Sequence, residues 1–173
     1  MSTSHSLILG LFDTEAAAAN AARALRDLGL PRERVSIVAR THAVEGSLAD
    51  ASGGSPGSEI EDSPIASRAG ELGAYLIAAV AMVLPGIGPI VAGGPLAADL
   101  GEAAGHLAGG VARTLERAGL DAARAERWES QIATGAVLVG AHAGNDRTVG
   151  VLESIRRNGA SDTATVAWPG ELT

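Results

Sequence analysis

The chain has 173 residues, which suits one domain or one domain with an appendage, and 46% hydrophobic content, which suffices for a packed core. Its 13 basic residues are all Arg, and 20 acids leave it at −7, which excludes the basic footprint of a general nucleic-acid binder. With no Cys, it has no disulfide, no thiolate metal site and no Cys nucleophile.

The first apolar run, Leu7 to Phe12, is too short for a signal-peptide core and is closed by Asp13, so a cytoplasmic location is expected. It reads as a buried strand. Asp13 or Thr14 then caps a helix whose apolar face is Ala18, Ala21, Ala22, Leu25 and Leu28. Gly29 closes that helix, with Pro31 beyond, and a second strand runs from Val35 to Ala39.

The same order recurs near the other end. Val137 to His142 reads as a strand, Asn145 or Asp146 as a cap, and Val149, Leu152 and Ile155 as a helix face closed by Gly159. A strand at Ala164 to Trp168 follows. An offset of 130 residues sets Leu7 on Val137, Leu25 on Ile155 and Gly29 on Gly159 without a gap. Two βαβ halves predict an α+β, ferredoxin-like split βαβ repeat: an antiparallel four-stranded sheet with two helices on one face and the first strand of each half at its centre. The strands are expected near residues 6–12, 34–39, 136–142 and 163–168. A Rossmann-type parallel sheet is the alternative, but there are only four such runs and no glycine fingerprint after the first.

The same offset groups Leu7, Leu9, Leu11, Val137, Val139 and Ala141 on one sheet face, and Ile8, Gly10, Phe12, Leu138, Gly140 and His142 on the other. Two helices cover only one face. The other, on the order of 300 Å² from strand spacing and rise, demands a cover or a partner.

Residues 1–40 and 135–173 therefore form one domain, split by an insertion. Residues 41–63 are Gly/Ser-rich and acidic and read as a solvated loop. Residues 64–134 read as helical, with a hairpin whose sharp turn is Pro85-Gly86-Ile87-Gly88-Pro89. Ser63-Pro64 opens the first arm, which runs to Leu84. The second arm ends at Gly119, and Asp121 caps a further helix through Trp128 and Ile132 that Gly135 closes.

From Leu72 to Ala98 there are 27 residues without a charge, longer than the ~20 of a membrane span. Pro85, Pro89 and Pro95 interrupt it, and the second arm carries Asp99, Glu102 and His106, of which the two acids are costly in lipid. Small residues recur every four positions: Ala66, Gly70, Ala74 and Ala78 on one arm, and Gly93, Ala97, Gly101, Gly105 and Gly109 on the other. An interior helical Gly costs ~1 kcal/mol against Ala, so close helix packing along these ridges is expected to offset it.

These residues carry a resemblance. Phe12-Asp13, the Ala-rich helix, Leu25, Gly29 and Val35-Ser36-Ile37-Val38 resemble the N-terminal part of bacterial general-stress and heat-induced stress proteins. The Gly/Ala-rich centre with Pro85 to Pro89 and Gly94-Pro95-Leu96-Ala97 is similar to their central segment, as is Trp128-Glu129 followed by Gly135 to Val139. The resemblance covers nearly the whole chain. It implies a stress association, with some relatives described as membrane proteins, and it implies no reaction and no catalytic residues.

Catalytic chemistry is not visible in the sequence. Of the four His (His5, His42, His106 and His142), no two lie at metal-ligand spacing, and Asp99, Glu102 and His106 read as an ion-pairing face rather than a metal site. His142, at a strand end, reads as a satisfied structural histidine. Ser and Thr lack a paired base, and Gly86-Ile87-Gly88 lacks the Lys of a phosphate-binding loop.

The expectation is a non-enzymatic protein without metal or cofactor that acts by self-assembly as a homo-oligomer. The first alternative is membrane association through an apolar tip of Leu76, Ile77, Val80, Met82, Val83, Leu84, Ile87, Ile90 and Val91. The second is a small-ligand pocket between insertion and sheet, with no small-molecule substrate identified.

Overall fold

The computed structural model describes residues 5–40, 80–84, 87–105 and 110–168, and these form an α+β arrangement about one antiparallel sheet. Strand β1 (His5–Phe12) leads to helix α1 (Glu15–Asp27) and, after a 3-10 turn at Arg32–Arg34, to β2 (Val35–Arg40). The insertion contributes β3 (Val80–Leu84), β4 (Gly88–Gly93), α2 (Pro95–Gly105), α3 (Val111–Ala118) and α4 (Ala122–Ala133). The second half supplies β5 (Val137–Gly144), α5 (Thr148–Arg157) and β6 (Asp162–Trp168).

Helix boundaries follow their caps. Thr14 Oγ1 accepts from Ala17 N at 3.2 Å to start α1, and Gly29, at φ +80°, ends it. Asp121 Oδ1 accepts from Arg124 N at 3.0 Å to start α4, and Gly119 and Gly135 adopt positive φ after α3 and α4. One cap differs from expectation. Neither Asn145 nor Asp146 caps α5; its N-cap is Arg147, without a side-chain bond, because Asn145 Oδ1 instead accepts from Ser6 Oγ at 3.2 Å.

The sheet has six strands in the order β3-β4-β2-β5-β1-β6, not four. The four strands expected from the two halves are neighbours, with β1 and β5 at their centre. The added pair comes from the segment read as a helical hairpin, where Val80–Leu84 and Gly88–Gly93 form a β-hairpin instead. The cause is tertiary. Val38 pairs with Ala92 and Ile37 with Gly93, so β4 satisfies the free edge of β2, which an isolated helical propensity cannot do. Pro89 lies outside the ladder with β2, which begins at Ile90, and sits near the turn end of β4 opposite Val83. The single second arm is likewise divided into β4, α2 and α3.

The expected face grouping is also corrected. Leu9 pairs with Gly140 and Leu7 with His142, so odd positions of β1 share a face with even positions of β5. Ile8, Phe12, Val137, Val139 and Ala141 pack beneath α1 and α5. Leu7, Leu9, Leu11 and Leu138 pack beneath α2, α3 and α4, against Leu96, Leu100, Leu115, Trp128 and Ile132. The offset of 130 therefore relates the helix positions Leu25 and Ile155 and the caps Gly29 and Gly159, but it does not preserve the faces of the strands.

The surplus apolar face thus has an intramolecular cover. Each large side chain buried there is worth about 1.5–3 kcal/mol against exposure, so the insertion is part of the core and not an appendage.

Candidate functional site

His142 is fully buried on a central strand, and neither Nδ1 nor Nε2 has a hydrogen-bond partner among the described residues. An unpaired buried polar atom costs about 1–3 kcal/mol, so the expectation of a satisfied structural histidine is corrected. The strand register explains what surrounds it. His142 opposes Leu7, while His5 opposes Gly144 on one side and Trp168 on the other. Opposed residues share a face, so His5, His142 and Trp168 converge at one end of the sheet, on the side covered by the insertion. The His142 and Trp168 rings meet edge to face, 4.7 Å between centroids at 82°. His5 Nδ1 is also buried without a partner.

Burial pushes the His142 pKa down to about 4, and the nearby charges of His5 and Arg34 push the same way. Arg34 precedes Val35, which pairs with Ala141, so it stands level with His142 on the neighbouring strand. The 137-residue separation of His5 and His142 hides an adjacency that only the β1–β5 register creates.

Of the residues expected to form packing ridges, Ala97, Gly101 and Gly105 keep their four-residue spacing on α2, while Gly93 falls in a strand. Gly93 lies in β4 opposite Ile37, Ala97 is buried in α2, and Gly101 is exposed on α2 with nothing within 4 Å of the position its Cβ would take. Gly105 ends α2, while Ala66, Gly70, Ala74, Ala78 and Gly109 lie outside the described residues. A continuous helical ridge from Gly93 to Gly101 is therefore absent, because a strand end and the turn at Gly94 interrupt it.

Three residues of the proposed membrane tip belong to the core. Leu84, Ile87 and Ile90 are at most 5% exposed, Val91 is half-buried in β4, and Val80, Met82 and Val83 belong to β3. Leu76 and Ile77 lie outside the described residues. Among the described residues, no helix is long and apolar enough to cross a membrane, and no group of three or more His, Asp or Glu could hold a metal ion.

Two other polar features have structural roles or little depth. Arg124 pairs with both carboxylate oxygens of Asp162 and donates to Thr163 O at 2.8 Å, while Trp128 Nε1 donates to Asp162 Oδ2 at 2.8 Å. This clasp fastens α4 to edge strand β6. A shallow, open polar cleft of about 230 Å³ is lined by Asp13, Gln131, Thr134, Gly135 and Ala136, without a nucleophile–base pair. No family model, no curated protein and no solved structure matches this chain.

Proposed function

We propose that this is a non-enzymatic protein that acts by self-association, and that the surface responsible is the free edge of β6. The observation that carries this reading is the sheet order. β6 pairs with β1 on one side and, among the described residues, with nothing on the other. Between Asp162 and Trp168 there is no Pro, Lys or Arg, the Arg124 clasp engages the strand only at Asp162 and Thr163, and Thr163, Thr165 and Val166 favour extended backbone. A second copy adding its own β6 antiparallel would satisfy both edges by one twofold axis.

This reading places the interface on β6 rather than on the second sheet face, which has its own cover. The order β2-β5-β1-β6, with α1 and α5 on one face, supports reading the two halves as a ferredoxin-like split βαβ repeat extended by the β3–β4 hairpin. The stress association rests on the sequence resemblance. Membrane association through the hairpin would have to withdraw Leu84, Ile87 and Ile90 from the core.

Light scattering at micromolar protein tests the proposal. The parent is expected to exceed one subunit. The double variant Thr165→Lys, Ala167→Lys, at two exposed edge positions, is expected to run as a monomer with an unchanged circular dichroism spectrum. A parent that is monomeric at tens of micromolar, or a double variant that assembles like the parent, refutes it.

A further inference from the structure

The cluster at the end of the sheet has three buried imidazole nitrogens without partners among the described residues, two on His142 and one on His5. Buried polar atoms are paired as a rule, so an orphaned set on two adjacent strands points to a missing group. We propose that His5, His142 and Arg34 bind a small oxyanion, a carboxylate or a phosphate, which supplies those partners.

The placement of the donors supports a single ligand. His5 and His142 are diagonal neighbours across the β1–β5 ladder on one face, a relationship that brings Cα atoms to about 7–8 Å and lets long side chains meet. Arg34, half-buried and with no ion pair to a described carboxylate, stands beside His142 on the third strand. Its guanidinium offers five donors in a planar fork suited to an oxyanion, and each ring contributes at least one N–H. Asp146, the acid just beyond β5, is exposed in the turn.

The sign of the field chooses among occupants. His5 and Arg34 both disfavour positive charge on His142, and the same field disfavours a divalent cation there. A water molecule would pair a nitrogen but would leave that field unopposed, whereas an anion pairs and neutralises together. Access is short. His142 is buried, but His5, Arg34 and Trp168 around it are only half-buried at the sheet's end.

Binding should be coupled to proton uptake, because an anion stabilises the imidazolium that the empty cluster resists. The test is long-range proton–nitrogen NMR of the histidine rings near pH 6, in buffer free of oxyanions, with inorganic phosphate and acetate titrated separately. Either anion is expected to shift both rings saturably and to raise the His142 pKa by about one unit or more. Which anion acts separates a phosphate from a carboxylate source. Arg34→Gln, at a half-buried position, is expected to keep the parent's melting behaviour and to weaken binding about tenfold. Absence of a saturable shift up to about 20 mM of either anion overturns the proposal. So does unweakened binding in Arg34→Gln, or perturbation of both rings by Zn2+ where the anions have no effect.

Discussion

The hydroxyl of Ser36, fully buried in β2, accepts the backbone N–H of Leu96 at 3.1 Å and so caps the first turn of α2 from a different element. The bond joins the insertion to the sheet at the point where α2 begins to cover Leu7 and Leu9. Ser36→Ala leaves that N–H without its acceptor in a dry site. A loss of about 1–2 kcal/mol is expected, read as a lower urea midpoint with an unchanged slope. A midpoint equal to the parent's would show that the cap contributes nothing.

Two glycines, one just before α2 and one within it, should respond with opposite signs. Gly94 has φ +80°, and a Cβ there would come within 2.7 Å of the Ser36 Cα. Gly94→Ala therefore meets both backbone strain and a clash with the β2 main chain, and should cost about 2–4 kcal/mol. Gly101 lies in the helix, exposed and facing open space. Gly101→Ala should stabilise by up to ~1 kcal/mol through helix propensity alone. Thermal melts of the two variants decide whether small residues here serve packing, conformation or neither.

Acid sensitivity should come in two windows. His142 titrates near 6.5 in an unfolded chain but is pushed down to about 4 in the fold, first by burial and then by His5 and Arg34. Between those values the unfolded chain holds a proton that the folded chain does not. Stability should therefore decline as pH falls from 6.5 through 4, by about 3 kcal/mol in all, and this group should add no further decline below 4. His142→Phe is expected to flatten this window in urea titrations made without oxyanions. A parent-like slope in that variant would assign the effect to another group.

The lower window belongs to Asp162, whose carboxyl is held at about 2, against an ordinary 3.8, mainly by its bond from Arg124 and also by Trp128 Nε1. Its contribution is complete above 3.8 and is lost as pH falls toward 2. The partners are partly exposed, so the pair is screened, and Asp162→Asn should cost about 1 kcal/mol near neutral pH. The same variant should loosen β6, raising amide exchange at Thr163 before the centre of the sheet is affected. Uniform exchange across β1, β5 and β6 would show that the clasp has no local role.

Local physics determined much of this protein from sequence alone. The four strands of the two halves begin and end within about two residues of expectation, because apolar runs bounded by Asp13, Gly29, Gly135 and Gly159 leave few alternatives. The caps at Thr14 and Asp121 and the positive-φ glycines were legible for the same reason: each depends on residues within one helical turn.

Long-range pairing decided the rest. Val80–Leu84 and Gly88–Gly93 carry an apolar, proline-marked pattern that serves helix or strand, and only the open edge of β2 resolves it in favour of a hairpin. The β1–β5 register, with Leu9 opposite Gly140, settles which β5 residues join Leu7 on the face that the insertion covers. That one-residue parity also places His5 and His142 on the same face, and nothing in a local window encodes it, because side-chain direction in a sheet reverses with every residue of register.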